Sequence, residues 1–551
     1  MKRYMDFLIR SAEKRADHFL NHQVWDKHSR FYGGMSDTVL NVKPTVYALS
    51  NVSAVYLNAK SRYYQKEKVL EAIHAALVFI EKNQRMDGSF DFPSCNFHSA
   101  PDTSFCFKRL IASYRLFQRF SPDSEYLEIK QTLYRIMERS LHALLHGGFH
   151  TPNHRWGIAA ALMQGAELVH NTDQSFAQAL RKRAEQYLQE GIDGNKDGEY
   201  AERSTGNYNA VVNQAMMSMY EETKDETYLG YMERNLKMML YYMEPDGTIF
   251  TQNSTRQDQG KRLYPDKYFY QYLYMAVCRE KEIYANAAHK IIRDCQERGD
   301  LAPDCLHILM LHPQMEQYEL KGYGFLQEYR KYFEESGVLR VKNTHYGYTI
   351  LKDKAAFLYL SFGATKIHMK IGESYCDIRN FIPEKLERKE DGYKLEGSKK
   401  GWYYLPFQEK PKTSDWWKMD HGKRELLYGE ELSISVEVSE QKYGVEVCVQ
   451  AKGLDRLPLR VEICIPAGSI LENDQFYLKT QKGESLILRN GMVSMHCGEN
   501  VIDIGPGYGT HEFEGHYSGE EKNSEGYTIF FNEYTPYEKR FSICCREGAS
   551  I

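Results

Sequence analysis

The sequence predicts a multidomain protein in which an α-helical domain precedes an antiparallel β domain. Three observations support this: helical periodicity recurs from residue 1 to about 330, strand-like alternation replaces it from about 340, and similar helix starts repeat about every 50–57 residues. The length of 551 residues also exceeds what one ordinary hydrophobic core organises. We therefore expect a helical domain at 1–335 and a β domain at 336–551.

The N-terminal domain is predicted to be helical because apolar residues recur at i, i+3, i+4 and i+7, between breaks at Gly, Pro, Asp and Asn. The clearest examples are 69–84, 103–120, 157–169, 176–192 and 208–223. Helix follows helix without an intervening strand, which argues against a doubly wound α/β fold.

The predicted helices also repeat in a regular way. A polar or Pro-containing turn leads into a helix at 43–51, 100–110, 151–161 and 205–215. This spacing accommodates two helices plus their loops, so it predicts a ring or solenoid of helical hairpins. In such a ring the four helix starts share one rim, where their polar residues converge.

The C-terminal domain is predicted to be a β-sandwich. Its segments alternate with period two, are rich in Val, Ile, Tyr and Phe, and end in turn residues. Examples are 344–353, 355–364, 431–440, 443–453, 459–468 and 526–534. These strands suffice for two packed antiparallel sheets.

Composition and charge restrict the functional classes. Hydrophobic residues at 42% and charged residues at 26% are typical of a globular protein. The net charge of −4 gives no overall attraction to nucleic acid or to an anionic membrane, so an anionic ligand requires a local cationic cluster. The 42 tyrosines suit sugar-like ligands as well as core packing.

Targeting features and cysteine usage favour a cytoplasmic protein. The N-terminal 20 residues lack the continuous apolar region of a signal peptide, and no stretch is long and apolar enough for a membrane span. The eleven cysteines show no CxxC pair, which is typical of a reduced inventory rather than a disulfide framework.

Two segments combine residue types that carry chemistry. The helix start "TPNHRW" (151–156) contains Asn153 and His154, and "DGEYAERSTGNYNA" (197–210) places Tyr208 54 residues after His154. Each residue also has a purely structural interpretation. Asn153 is as well suited to capping the helix as to binding a ligand.

These motifs resemble those of the heparinase II/III-like superfamily of polysaccharide lyases, to which alginate and chondroitin lyases are related. The resemblance implies an N-terminal (α/α) incomplete toroid followed by a C-terminal antiparallel β-sandwich. Such enzymes carry Asn-His at a helix start and, some 55 residues later, the pattern D-G-x-x-x-E-x-S followed by a catalytic Tyr. The matching residues here are Asn153, His154 and Tyr208. Residues 101–105 and 254–260 resemble substrate-rim segments.

The resemblance also implies roles for residues of both domains. The implied catalytic residues are Asn153, His154, Tyr208 and His368, and the implied substrate-binding residues are Asp102, Trp156, Glu202, Arg203, Arg256, Tyr403 and Tyr404. His368 fits the family's sandwich His, although a core strand residue is an equal alternative. Tyr403 and Tyr404 alternate across a strand, so at most one can face a cleft, and plain packing is the simpler interpretation.

No cofactor is expected to be required. Some members of the superfamily bind a metal through the pattern H-x-H-x-D-x-x-S-F, whereas this chain reads His368-Met-Lys-Ile-Gly, so a structural divalent metal in the β domain lacks support. A second metal candidate is the cluster of His511, Glu512, Glu514 and His516, for which a solvated loop is the more ordinary interpretation.

The chemistry implied is β-elimination from a uronic acid. The enzyme removes the C5 proton beside a carboxylate that must be neutralised as charge develops. Asn153 and the start of its helix suit that task, and His154 can donate to the carboxylate or accept the proton. Tyr208 can protonate the leaving oxygen. A tyrosine acts as a base at neutral pH only beside a cation, for which Arg203 is the candidate in sequence.

Two alternative functions stay open at this point. A glycoside hydrolase needs two facing carboxyl groups, for which Asp102, Glu202 and Asp258 are available. A non-catalytic glycan-binding homologue would keep only the cleft. For any of these functions, the expected partner is an anionic oligo- or polysaccharide. A glycosaminoglycan-like chain is the first expectation and an alginate-like uronan is the second. Basic residues for it are Arg109, Arg155, Arg203, Arg256 and Arg262.

Overall fold

The computed structural model describes residues 1–35, 38–121, 126–320, 325–512 and 523–546. The chain forms two compact units, a helical unit (Met1–Leu326) and a β unit (Gln327–Ile551). The units divide before residue 335 because Tyr329–Phe333 already forms a strand, which pairs antiparallel with Val338–Lys342.

The helical unit is built from successive α-helices. They are α1 (Lys2–His22), α2 (Lys43–Leu57), α3 (Glu67–Lys82), α4 (Ala100–Phe120), α5 (Leu127–His146), α6 (Pro152–Val169), α7 (Gln174–Gln189), α8 (Tyr208–Thr223), α9 (Glu226–Tyr242), α10 (Phe269–Arg279), α11 (Glu282–Glu297), α12 (Leu306–Leu311) and α13 (Pro313–Gln317). A small hairpin of β1 (Phe90–Phe92) and β2 (Asn96–Ser99) precedes α4.

The helices form two layers. In the inner layer α2 packs on α4, α4 on α6 and α6 on α8, while α12 packs on both α2 and α4. In the outer layer α3 packs on α5 and α5 on α7. Because each outer helix returns the chain, the four inner helices run in the same direction and their N-termini share one end.

Small residues allow the close approach of α6 to its neighbours. A Cβ at Gly165 would lie 2.1 Å from Leu141 Cδ2, and one at Gly157 would lie 2.9 Å from the Phe105 ring. Both distances are shorter than a van der Waals contact, so the Gly- and Ala-rich stretch serves helix packing rather than ligand binding.

The β unit is a sandwich of two sheets. Its strands are β3 (Tyr329–Phe333), β4 (Val338–Lys342), β5 (Gly347–Leu351), β6 (Leu358–Phe362), β7 (Thr365–Tyr375), β8 (Ile378–Asn380), β9 (Lys385–Lys389), β10 (Gly392–Tyr404), β11 (Leu426–Gln441), β12 (Gly444–Lys452), β13 (Pro458–Pro466), β14 (Ile470–Glu472), β15 (Tyr477–Lys479), β16 (Ser485–Ile487), β17 (Val493–Cys497), β18 (Asn500–Gly505), β19 (Gly526–Tyr534) and β20 (Tyr537–Cys545).

One sheet has the order β15-β14-β17-β18-β20-β12-β11-β10-β9, and the other has β16-β19-β13-β7-β6-β5-β4-β3 with β8 beside β7. The pairings are antiparallel except that of β16 with β19, which is parallel. Alternate residues of both sheets, such as Val436 and Val447 from one and Ile367 and Ile463 from the other, form a single buried core.

Two further features concern the described residues as a whole. No helix among them has the length and apolarity needed to traverse a bilayer. All eleven cysteines are free thiols.

Candidate active site

The shared end of the inner helices carries a cluster of polar side chains. Lys43 is the first residue of α2, Asp102 lies in the first turn of α4, Asn153 and His154 lie in the first turn of α6, and Tyr208 begins α8. The convergence expected from the repeated helix starts therefore follows from the common direction of these helices. We call this end of the helical unit the rim.

Asn153 is held by Glu202. The Asn153 backbone N–H donates to Glu202 Oε2 at 3.0 Å, and its side-chain Nδ2 lies 3.0 and 2.8 Å from the two carboxylate oxygens. The same Nδ2 lies 3.0 Å from Thr151 Oγ1. Both amide hydrogens thus have acceptors, and a ligand carboxylate would have to replace the Thr151 hydroxyl to accept from Asn153.

The interpretation of Asn153 as a helix cap is wrong. Thr151 occupies the N-cap position of α6 without a side-chain capping bond, and Asn153 lies inside the first turn. The carboxylate of Glu202 satisfies the helix start instead, where a negative charge is favoured by the exposed N–H groups.

Glu202 also connects Asn153 to Tyr208. Arg256 Nε lies 3.3 Å from Glu202 Oε1, and the Arg256 guanidinium lies 5.5 Å from the centre of the Tyr208 ring. The Tyr208 hydroxyl donates to Gln257 Oε1 at 3.3 Å. Burial raises the pKa of Glu202, although the hydrogen bonds from Asn153 and the Arg256 charge oppose this shift.

Two loops are joined beneath these residues. The buried Asp258 accepts from Ser204 Oγ at 2.9 Å, from Ser254 Oγ at 2.6 Å and from the Gly206 N–H at 2.9 Å. The Thr255 hydroxyl donates to the Glu202 carbonyl at 2.9 Å. Segment 254–258 is therefore fixed to segment 202–208, which positions Arg256 beside Tyr208.

His154 is uncharged near neutral pH. Burial is the largest cause that lowers the pKa of its imidazole to about 4, and the nearby Lys43 and Arg256 cations add to this while Asp102 opposes it. Its ring packs edge-on against Phe105 with centroids 5.8 Å apart. A neutral imidazole can accept a proton or donate through its single N–H.

Lys43 is a rim residue that the sequence reasoning did not single out. Its Nζ donates to Asp102 Oδ1 at 2.7 Å and lies 5.1 Å from the centre of the Phe105 ring, the ring that His154 also contacts. Burial disfavours its charge, but the bond to Asp102 outweighs this and raises the pKa of Lys43. Its position at one of the four repeated helix starts was the available signal.

Trp156 and Arg203 were both predicted to bind substrate, and for Arg203 this stays a prediction. Trp156 is fully buried, and its indole N–H donates to Asp193, so the prediction that it contacts substrate is wrong. Arg203 Nε lies 3.5 Å from Glu199 Oε2. The cation that lies over Tyr208 is Arg256 rather than Arg203.

The other basic residues expected near the rim differ in the contacts that they make. Arg109 contacts Asp304 and donates to His307, and Arg155 donates to the carbonyls of Tyr187 and Gly191. Arg262 is largely exposed, 3.9 Å from Asp246. Arg256 is thus the one member of this set for which the structure gives a contact to the candidate catalytic residues.

His368, Tyr403 and Tyr404 belong to the β unit. His368 alternates with the core residues Ile367 and Met369 on β7, stacks on Tyr359 at 5.5 Å and lies opposite Cys464. Burial lowers the pKa of His368 to about 4. Tyr403 is 66% exposed and Tyr404 is 37% exposed at the end of β10. Their contact with substrate stays a prediction.

Metal binding finds no support in the described part of the chain, where no group of three or more His, Cys, Asp or Glu side chains is arranged to hold an ion. His511 is buried, within 3.3 Å of the Leu459 and Glu533 carbonyls, and Glu512 contacts Arg489. Glu514 and His516, the other members of the predicted cluster, lie outside the described residues.

Comparisons with known proteins give the fold. No family model and no curated protein matches the chain. A mutant of the heparan sulfate lyase HepC from Pedobacter heparinus is similar, with a TM-score of 0.56, 12% identity, and coverage of 98% of this chain and 84% of that one. Heparinase III is similar with a TM-score of 0.60 and 11% identity, and the match covers 98% of this chain and 85% of that one. The chondroitin AC lyase of Streptomyces coelicolor A3, in complex with chondroitin sulphate, is similar with a TM-score of 0.54 and 10% identity. That match covers 100% of this chain and 80% of the lyase.

These similarities extend over nearly the whole chain, and they confirm the predicted order of a helical region followed by β-sheets. The chain therefore has the heparinase-like polysaccharide lyase fold, a helical toroid followed by a β-sandwich.

Proposed function

We propose that the protein is a lyase that cleaves uronic-acid-containing glycans by β-elimination and leaves a C4=C5 unsaturated uronate. The observation that carries this proposal is the series of contacts from Asn153 through Glu202 and Arg256 to Tyr208, with His154 beside them. It brings the motif residues to one rim in a fold that known glycosaminoglycan lyases share.

Each group at the rim suits one part of the reaction. In β-elimination the C5–H bond breaks, the C4=C5 double bond forms and the C4–O bond to the leaving sugar breaks. The Arg256 guanidinium can neutralise the uronate carboxylate as the charge spreads towards it in the transition state. Neutral His154 can donate to that carboxylate through its N–H.

His154 and Tyr208 are the residues that transfer protons. The C5 proton passes to one of these two groups, and the Tyr208 hydroxyl can return a proton to the glycosidic oxygen as it leaves. Glu202 holds Asn153 and Arg256 in place and has no direct part in the proton transfer.

Hydrolysis is the less favoured alternative. Asp102 is paired with Lys43 and accepts from Ser99, Glu202 is paired with Arg256, and Asp258 accepts from three donors. A hydrolase needs one carboxyl group free to protonate the leaving oxygen and a second to activate water or attack the sugar. Carboxylates that are already engaged in this way suit neither role.

An absorbance assay tests the proposal. The purified protein is incubated with hyaluronan, chondroitin sulfates, heparan sulfate, heparin, alginate and glucuronan, and the ultraviolet absorbance of the unsaturated uronate is followed. We expect the absorbance to rise with at least one glycosaminoglycan. Alginate-like uronans are the second choice of substrate. Reducing ends formed without absorbance would indicate hydrolysis, and binding without either signal would indicate a non-catalytic homologue.

A further inference from the structure

A cavity extends from the middle of the inner helices to the end opposite the rim. It is lined by Arg115 on α4, Gln164 on α6, Glu221 on α8 and His312 after α12, together with Lys108 and Arg109. Arg115 follows Asp102 by thirteen residues on α4, as Glu221 follows Tyr208 on α8. At 1.5 Å per residue, this end of the cavity lies roughly 20 Å from the rim. Lys108 follows Asp102 by only six residues, and its Nζ lies 5.6 Å from the centre of the Phe105 ring, so the cavity extends towards the rim.

Three cations, Lys108, Arg109 and Arg115, line the cavity among neutral and apolar side chains. Arg109 lies 3.2 Å from Asp304 and Arg115 lies 2.7 Å from Glu222, so these two charges are balanced by carboxylates. Lys108 differs, because its ammonium donates to the amide oxygen of Gln214 at 2.9 Å and has no carboxylate within ion-pair distance in the described chain. An ammonium has two further hydrogens that require acceptors.

Glu221 is the one carboxylate among the residues that line the cavity. Its Oε1 lies 3.1 Å from His312 Nε2, and burial raises the pKa of Glu221 to about 7. Below that pH the group is protonated and adds no negative charge. Burial also lowers the pKa of Lys108 to about 7, as expected for a cation held deep in a protein without a counter-ion.

We propose that this rear cavity is a second ligand site, which binds a small oxyanion such as sulfate or a carboxylate against Lys108, with Arg109 and Arg115 adding to the attraction. Its volume of about 180 Å³ corresponds to roughly six water molecules, enough for such an ion with part of its hydration shell. The ligand supplies the negative charge that the protein itself does not place beside Lys108.

The pH dependence follows from the ionisable groups that line the cavity. Lys43 and Lys267 add cationic charge near Lys108, and Asp304 and Glu222 pair with Arg109 and Arg115. Lys108, Arg109 and Arg115 come from α4, Glu221 from α8, and His307 and His312 from the α12 region. Burial lowers the pKa of His307 to about 3 and that of His312 to about 4, so neither contributes charge near neutrality. As pH rises through 7, Lys108 loses its proton and Glu221 gains a charge. Both changes weaken anion binding.

Calorimetric titration of the full-length protein with sodium sulfate, at constant ionic strength set by chloride, tests the site. We expect saturable sulfate binding at pH 6 that weakens at pH 8. The Lys108→Met variant should lose affinity at least tenfold, whereas Lys182→Met, an exposed lysine of α7, should bind as the wild type does. Titration with sodium acetate tells whether a carboxylate group is also accepted.

Two further variants keep the test decisive. Glu221→Gln removes the competing carboxylate and should retain more affinity at pH 8 than the wild type, even if Lys108→Met folds poorly. Arg256→Gln alters the rim and should leave this binding unchanged. The proposal is overturned by the absence of saturable binding, by Lys108→Met binding within twofold of the wild type, by an unaltered pH dependence in Glu221→Gln, or by a loss confined to Arg256→Gln.

Discussion

At the scale of single residues, Glu202 organises the candidate active site. Its two oxygens accept from the Asn153 backbone and side chain, and one of them also meets Arg256. The resemblance implied a substrate-binding role for Glu202, yet its carboxylate is buried in contacts with the protein. The local cation–carboxylate–amide arrangement therefore fixes the positions from which Arg256 and Asn153 can act.

Replacing Tyr208 by Phe removes the proposed proton donor and little else. We expect kcat to fall at least 100-fold with KM within threefold of the wild type, because general acid–base catalysis contributes on the order of 10²–10⁴ in rate. The initial rate of ultraviolet absorbance measures this. Tyr220→Phe, the same change near the other end of α8, should leave the rate intact. Near-normal turnover by Tyr208→Phe would remove Tyr208 from the mechanism.

Replacing Asn153 by Ala should impair both stability and rate. Glu202 loses a buried donor, which costs about 1–3 kcal/mol of unfolding free energy. Loss of an amide that assists the developing charge reduces kcat on the order of 100-fold or more. Denaturant unfolding and the absorbance assay measure the two effects. A variant with reduced stability but full rate would show that Asn153 acts only in the fold.

The pH profile reports on His154. Its lowered pKa, about 4, means that the neutral form predominates above that pH and is lost only below it. If catalysis requires neutral His154, the acidic limb of log kcat/KM for the free enzyme should fall near pH 4. A limb near pH 6.5, the ordinary histidine value, would contradict the buried environment described for this ring.

At the scale of elements, the turn that precedes the catalytic tyrosine depends on a glycine. Gly198 has φ of +100°, and a Cβ there would lie 2.3 Å from the Arg234 carbonyl oxygen in α9. An Asp-Gly pair such as Asp197–Gly198 is typical of a turn. Its close approach to α9 could not be predicted, because it depends on how the helices pack.

Gly198→Ala should therefore destabilise the helical unit. A side chain strains the left-handed backbone and displaces α9, so we expect a loss of about 1–3 kcal/mol in unfolding free energy. Gly230→Ala, inside α9 with only a 3.8 Å contact, should be neutral or stabilising by up to about 1 kcal/mol. Thermal unfolding of both variants measures the difference, and equal effects would show that the turn tolerates a side chain.

At the scale of the whole molecule, periodicity predicted the class of each half because helices and strands bury one face with different periods. The same reasoning predicted that Asn153, His154 and Tyr208 meet, since their helix starts repeat. The resemblance implied substrate contact for Trp156, which is wrong because packing buries that side chain. A substrate-binding role of Arg203 stays a prediction.

The contacts that other site residues make had no local signal in the sequence. Lys43 precedes Pro44 and resembles an ordinary helix start, and its contact with Asp102 links residues 59 positions apart. The approach of Arg256 to Glu202 likewise joins two distant loops. No pattern within either loop encodes that pairing.

The rim carries cations although the net charge of the molecule is negative, and Asp102 and Glu202 balance two of them. The chain carries −4 overall, whereas Lys43, Arg256 and Lys267, which contacts the residue before Tyr208, are cations at the rim. Attraction of an anionic glycan is thus local and sensitive to salt. We expect KM to rise several-fold between about 50 and about 500 mM NaCl at nearly constant kcat. A KM unaffected by salt would argue against these cations as the binding surface.

We propose that the protein acts in the cytoplasm and that its working substrates are short oligosaccharides. Tetrasaccharides should then show a kcat/KM at least as high as that of intact polymer, measured by the same absorbance assay. A clear preference for polymer would contradict this proposal.

The bonds from Asp258 to two serines and a backbone amide have a consequence for how a glycan is received. The two segments that present Arg256 and Tyr208 are already tied together before any sugar arrives. Binding of the sugar therefore costs little entropy to order these two segments. More of the binding free energy can then lower the activation barrier of the reaction.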